Sequence, residues 1–213
     1  MTTLILIRHG ESSANRDRIF AGNYDAELAE LGIVQAKATA KYIKENYKID
    51  KLYSSNLKRA YSTAKEISEA LGLEIIINPK IREISAGKWE GVKFDEIGAL
   101  YPEDFAVWRE NIGASRCTDG ESVYELGQRI MAALTEIAKN DDGKTVAIAT
   151  HATPIRVSQC IIEHGNLDKM TDVPWVSNAS LTIYRYDKGE WNIEAVSLDA
   201  HLEGYKTLLP ANV

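Results

Sequence analysis

Leu4-Ile5-Leu6-Ile7-Arg8-His9-Gly10-Glu11-Ser12 is the stretch on which the fold turns. Its apolar run reads as a strand buried on both faces. The run stops at an arginine, a histidine and a glycine. A strand that ends this way carries a cation and an imidazole to the carboxyl edge of a sheet, where open α/β sheets bind ligands. A second imidazole closes another apolar run, Val146-Ala147-Ile148-Ala149-Thr150-His151. Arg59 opens a helix just after a third strand candidate, Lys51-Leu52-Tyr53-Ser54. We expect these three strand ends to meet.

Working outward, the 213 residues suit a single domain spanning 1–213. With 45% apolar and 26% charged residues, the composition is that of an ordinary soluble globular chain. A net charge of −6 argues against non-specific binding to nucleic acid or to an anionic membrane. It leaves room for a small anionic substrate in a locally basic pocket. Cys117 and Cys160 have no C-x-x-C or zinc-ligand spacing and read as free thiols of a reducing compartment. No basic region precedes the first apolar run, and the run is far too short to span a membrane, so the expected location is cytoplasmic.

The segment from Glu11 to Glu27 is long for a loop, which at a sheet edge implies a function or a short helix. Ile33, Ala36, Ala40, Ile43 and Tyr47 recur at helical spacing, with Gly32 a weak point in the first turn. Asn56 is positioned to cap the next helix, whose stripe is Leu57, Ala60, Ala64, Ile67 and Leu71 and whose end is Gly72. Arg59 lies off that stripe. Glu74 to Ile77 reads as another buried strand, Pro79 breaks it, and Ile81 to Ile84 resumes an extended course. Two short helical patterns follow at Phe94–Leu100 and Glu103–Asn111, then a loop from Gly113 to Gly120.

Ser122-Val123-Tyr124-Glu125 has capping-box form and opens a long helix with Leu126, Ile130, Leu134 and Ile137 on its core face. Asp141-Asp142-Gly143 turns the chain into the strand that delivers His151, and Pro154 fits the first turn of a helix running to about Glu163. Ser180–Tyr186 and Trp191–Ser197 form a hairpin around Asp187-Lys188-Gly189, with an edge that can pair in a homodimer. His201 to Val213 reads as a surface tail. The alternation predicts an α/β, three-layer fold: a mainly parallel sheet with helices on both faces. Residues 85–120 interrupt the rhythm and read as a small helical cap insertion over the sheet edge.

Five short motifs now stand in order. Leu6-Ile7-Arg8-His9-Gly10-Glu11-Ser12 with Asn15 resembles the signature of the histidine phosphatase superfamily, also called the phosphoglycerate mutase-like family. Ser54-Ser55-Asn56-Leu57-Lys58-Arg59-Ala60 with Thr63-Ala64 resembles its second motif, and Arg82-Glu83-Ile84 with Gly87-Lys88-Trp89-Glu90-Gly91 its third. Gly120-Glu121-Ser122 and Thr150-His151-Ala152 match the fourth and fifth. The resemblance implies that His9 is a nucleophile forming a phosphohistidine. It further implies that Arg8, Arg59 and His151 hold the phosphoryl oxygens, that Asn15 adds a hydrogen bond, and that Glu83 is the general acid. Backbone N–H groups near Ala21, Gly22 and Ala152 would contact the substrate. No metal or cofactor is implied.

These residue types suit the chemistry. Phosphoryl transfer is mostly positioning and stabilisation of charge on the equatorial oxygens. Arginine forks match phosphate oxygens and stay charged. A histidine beside two arginines is held neutral and nucleophilic near pH 7. A leaving alkoxide needs a proton, which a carboxylic acid near a dianion can hold. Glu11, Glu90 and Glu121 compete with Glu83 for that role. His164 and His201 read as structural or exposed, Trp89 as packing, and Ser122 as a cap.

Within the family the chain is closest to small broad-specificity phosphatases acting on a small phosphorylated substrate. The glycolytic mutases carry a tryptophan followed by two arginines that grip the phosphoglycerate carboxylate. Here that stretch is Trp108-Arg109-Glu110, and the reversed charge at Glu110 is expected to disfavour mutase activity. Lys88, Lys93 and Arg109 are candidate anchors for an acidic substrate. Ala14 and Glu27-Leu28-Ala29 replace the family's usual Trp and Pro-Leu-Thr near the expected pocket mouth. The alternatives are a cofactor-dependent phosphoglycerate mutase and a non-catalytic member that binds a phosphorylated ligand.

Overall fold

In the computed structural model, which describes residues 1–207, the strands are β1 (Thr2–Arg8), β2 (Lys51–Ser54), β3 (Ile75–Ile77), β4 (Thr145–Thr150), β5 (Leu181–Asp187) and β6 (Glu190–Leu198). They form one sheet in the order β3-β2-β4-β1-β5-β6. The first four strands of that order are mutually parallel, β5 runs antiparallel to β1, and β6 runs antiparallel to β5. The helices are α1 (Ser13–Arg16), α2 (Glu30–Asn46), α3 (Lys58–Leu71), α4 (Phe94–Leu100), α5 (Pro102–Glu110), α6 (Val123–Asn140) and α7 (Ala152–His164). None of them is long and apolar enough to cross a membrane.

Strand alternation splits the core in two. Ile5, Ile7, Ala147 and Ala149 pack with Ala40 and Ile43 of α2 and Ala64 and Ile67 of α3. Leu4, Leu6, Val146 and Ile148 face the other way, against Ile130 and Leu134 of α6 and Ile155 of α7. The three layers predicted from the sequence follow from this, since β1 and β4 bury both faces. Register completes the placement: Arg8 pairs with Thr150, so His9 and His151 leave adjacent strands at the same level.

Local chemistry ends the helices where expected. Ser122 caps α6 in a reciprocal box with Glu125, and Gly72 closes α3 at φ 70°. Five expectations are corrected. Asn56 does not cap α3; its Oδ1 accepts from Arg82 Nε at 2.5 Å, and the cap position is Leu57. β3 is an edge strand with Ile76 and Ile77 exposed rather than a buried one. Ile81 to Ile84 forms no strand, because Pro79–Ile81 turns into a short 3-10 helix.

Ile33 is exposed, and α2 buries Gly32, Gln35, Ala36, Thr39, Ala40 and Ile43 instead. The cause is Gly32, where a Cβ would stand 1.9 Å from the Glu11 carbonyl oxygen. That close backbone approach fixes the rotation of α2. The C-terminal segment is no free tail over its described part. Leu202 is fully buried, His201 stacks on Tyr42 at 4.6 Å, and Gln35 Nε2 donates to Tyr205 O and Thr207 Oγ1. Residues 208–213 lie outside the described residues.

Candidate active site

The carboxyl edge of β1, β2 and β4 opens into a cleft with about 700 Å³ of open space. Arg8, His9, Asn15, Ala21, Gly22, Arg59, Glu83 and Ala152 line it. His151 is completely buried behind them, with its ring centroid 5.2 Å from that of His9. The three strand ends therefore meet.

The His9 backbone is fixed from two sides. Its N–H donates to Thr150 O, and its carbonyl accepts from Ala179 N and from Asn178 Nδ2 at 3.1 Å. The ring is fixed as well: Nδ1–H donates to the Gly10 carbonyl at 2.7 Å, which leaves the Nε2 lone pair facing Arg59. Arg59 Nε donates to that lone pair at 3.1 Å. The two terminal nitrogens of Arg59 donate to Tyr24 O and Gly22 O, so the guanidinium also holds the loop that carries Ala21 and Gly22. Arg8 donates through one terminal nitrogen to Val176 O, and its Nε is buried without a partner among the described residues.

Burial first, then the charges of Arg59 and Arg8, hold the His9 pKa well below the ordinary imidazole value. His151 is depressed in the same way, by burial and then by Arg59. Burial also lowers Arg8, to about 10, which still leaves it charged at neutral pH. His151 Nε2 lies 2.9 Å from Ser55 Oγ, and its Nδ1 is buried with no partner among the described residues. Asn15 accepts through Oδ1 from Ser12 N, Ser12 Oγ and Asn178 Nδ2, so its amide is oriented with the NH₂ group left as donor.

The four glutamates separate by position. Glu83 lines the cleft, accepting from Ile84 N at 2.9 Å and Thr153 N at 3.4 Å. Glu90 binds the backbone N–H groups of Asn23 and Ala86. Glu121 forms a two-pronged pair with Arg129 at 2.8 and 2.9 Å. Glu11 is buried outside the cleft lining. Arg129 in turn donates to the carbonyls of Lys80, Arg82 and Glu83, and so clamps the irregular segment that presents Glu83.

The expected substrate anchors are not there. Lys88, Lys93, Arg109 and Glu110 are exposed, and none lines the cleft; Lys88 is paired with Asp119 at 2.8 Å. Within the stretch 108–110 it is Trp108 that lines the cleft, and Glu110 is exposed outside the lining. Ala14 and residues 27–29 also lie outside the lining. The sequence reading missed Ile19, Phe20, Phe94, Thr153 and Trp175 in the lining, and Asn178 behind it. Phe20 was legible beside Ala21. Trp175 and Asn178 stand in the segment between α7 and β5, which has no periodicity or motif to mark it.

The residues 4–199 match the model of the histidine phosphatase superfamily, branch 1. The chain is 35% identical over 202 residues to phosphoserine phosphatase 1 of Hydrogenobacter thermophilus, covering 95% of each chain. Among solved structures it is similar to Bacillus stearothermophilus YhfR, with a TM-score of 0.90 at 29% identity over 95% of this chain and 100% of that one. A mutant phosphoserine phosphatase from Entamoeba histolytica, solved with phosphoserine, superposes with a TM-score of 0.83 at 28% identity, again over 95% and 100% of the two chains. The polar pole of the cleft, the sheet that carries it and these likenesses agree: the chain belongs to the histidine phosphatase superfamily.

Proposed function

We propose that the chain hydrolyses a small phosphomonoester through a phosphohistidine on His9. The observation that carries this is the state of His9: its proton is tied to the Gly10 carbonyl, and its Nε2 lone pair is oriented by the Arg59 guanidinium at the cleft floor. Relatives that are phosphatases support the same reading.

In this reading Nε2 attacks phosphorus while Arg8, Arg59 and His151 take up charge on the phosphoryl oxygens. Asn15 donates its amide, and α7 begins at the cleft so that the Ala152 N–H adds a further donor. Glu83 gives its proton to the leaving oxygen. The resulting carboxylate takes a proton from water, whose oxygen attacks the phosphohistidine and releases inorganic phosphate. Residues 85–120 act as the cap, since Phe94 and Trp108 come from it to wall the cleft.

The test is phosphate release from a phosphomonoester panel in EDTA, with His9→Ala as control. The expected result is release that needs His9 and leaves an acid-labile, alkali-stable phosphoryl label on the protein after a rapid quench. Undiminished release by His9→Ala overturns the mechanism. Conversion of 3-phosphoglycerate to its isomer without phosphate release would instead establish the mutase.

A further inference from the structure

The cleft has two chemically different halves. Its floor is polar and cationic. Its outer wall is built from Ile19, Phe20, Phe94, Trp108 and Trp175. We infer that the alcohol half of the substrate is aromatic or otherwise bulky and apolar, and carries no carboxylate. This rests on the phosphatase reading above and names the substrate class of that same site.

The wall is rigid before any ligand arrives. Phe20 packs edge-on against Trp89 at 5.4 Å and Trp108 at 5.3 Å, and lies parallel to Phe94 at 6.1 Å. Trp89 is itself locked by donation from Nε1 to Thr118 Oγ1 at 3.0 Å. Trp175 is held under the guanidinium of Arg156 at 4.0 Å, and Arg156 is tied to Val173 O and Met170 O. Pre-formed aromatic faces bind a flat apolar group with little ordering cost.

Among the described residues, the cleft lining offers a carboxylate no cation beyond the phosphoryl site. The cations lining the cleft are Arg8 and Arg59, both at the floor. In the phosphatase reading both are taken up by the phosphoryl group. The remaining titratable side chain with an acidic group in the lining is Glu83, which offers a carboxylate no positive charge. Of the surface cations, Lys58, Arg18 and Lys88 are paired with Glu27, Asp95 and Asp119, and Lys93 and Arg109 are exposed outside the cleft lining. Residues 208–213, Leu-Leu-Pro-Ala-Asn-Val, include no cationic side chain. A carboxylate on the leaving group would lose water against indole and phenyl rings without a partner. In this the cleft departs from what recognition of phosphoserine or a phosphoglycerate asks for.

The experiment compares kcat/KM for benzyl phosphate, O-phosphoserine and 3-phosphoglycerate. Benzyl phosphate and O-phosphoserine both release a primary alkoxide, so their ratio reports the outer half of the cleft. We expect benzyl phosphate to lead by about tenfold or more, the gain from one buried ring. Trp108→Ala and, independently, Phe94→Leu should shrink the ratio through KM, and Phe94→Arg should reverse it. A lead for O-phosphoserine or 3-phosphoglycerate, or a ratio untouched by these variants, overturns the inference while leaving the phosphatase reading intact. Calorimetry with benzylphosphonate against 2-amino-4-phosphonobutyrate separates the reverse case. Tighter benzylphosphonate binding with no His9-dependent turnover supports the wall and overturns the phosphatase reading. Equal or weaker binding overturns the wall.

Discussion

Arg59 donates its Nε–H to Nε2 of His9 at 3.1 Å, and so holds the lone pair that would attack phosphorus. The same guanidinium depresses the His9 pKa, second only to burial. One residue therefore orients the nucleophile, keeps it neutral and stands ready beside the phosphoryl oxygens. Arg59→Met should lower kcat/KM by about a hundredfold or more, the usual loss for a charge-stabilising donor. The acid limb of the pH–rate profile should also move up, toward the ordinary imidazole value, because a cation that disfavours His9 protonation is gone. A profile with an unmoved acid limb would mean that burial alone sets the state of His9.

Arg129 should govern the general acid without touching substrate. It clamps the carbonyls of Lys80, Arg82 and Glu83, and Glu121 holds its guanidinium in place. Arg129→Met should let the Glu83 segment move, and a loss of about tenfold to a hundredfold should appear with alkyl phosphates. With 4-nitrophenyl phosphate, whose leaving group needs no proton, the loss should be small. Equal losses with both esters would reduce Arg129 to a purely structural role.

Folding stability should fall on mild acidification. His9 and His151 are buried with pKa values well below the ordinary value of 6.5. The unfolded chain binds their protons at about pH 6.5, and the folded chain resists, so the unfolded state gains as pH falls. Stability is thus fully present above about pH 6.5 and is lost below it, by up to about 1.4 kcal/mol per group for each pH unit. Urea midpoints at about pH 7.5 and 5.5 measure this. His9→Asn should lessen the slope, and an equal slope in wild type and variant would show that the folded state admits the proton.

Gly32→Ala should be costly although it sits in a helix, where alanine is usually favoured. The added Cβ would meet Glu11 O at 1.9 Å, and a Cβ at Gly10 would meet Gly32 O at 2.4 Å. Relief requires α2 to back away from the end of β1. We expect a loss of about 2–3 kcal/mol, read as a fall in Tm of roughly 5–10 °C. Activity at low temperature should drop as well, because the displaced backbone leads into Ser12 and Asn15. A gain in Tm, as helix propensity alone would give, would show that the two segments part freely.

Legibility follows the range of the interactions involved. The Leu4–Ile7 run, the Ser122 capping box and Gly72 were readable because period and cap chemistry are settled within a few residues of chain. So was the meeting of the three strand ends, since a buried parallel strand has one direction and one carboxyl edge. What misled were features whose partners are remote. Asn56 had the chemistry of a cap, and Arg82 claimed it. Ile33 matched the helical period, and the backbone contact at Gly32 turned it outward.

The amino-acid sequence by itself determined the α/β layering and the delivery of Arg8, His9, Arg59 and His151 to one edge, because hydrophobic period and strand polarity are properties of the chain. Only the tertiary structure decided which glutamate faces the cleft, which nitrogen of His9 keeps its lone pair, and that the outer wall is aromatic. Glu83 and the Trp175 face of the wall belong to irregular segments around 80–93 and 165–180. Such segments have no internal ladder of hydrogen bonds, and their backbone groups are satisfied by side chains far away in sequence: Arg129, Arg8 and Arg156.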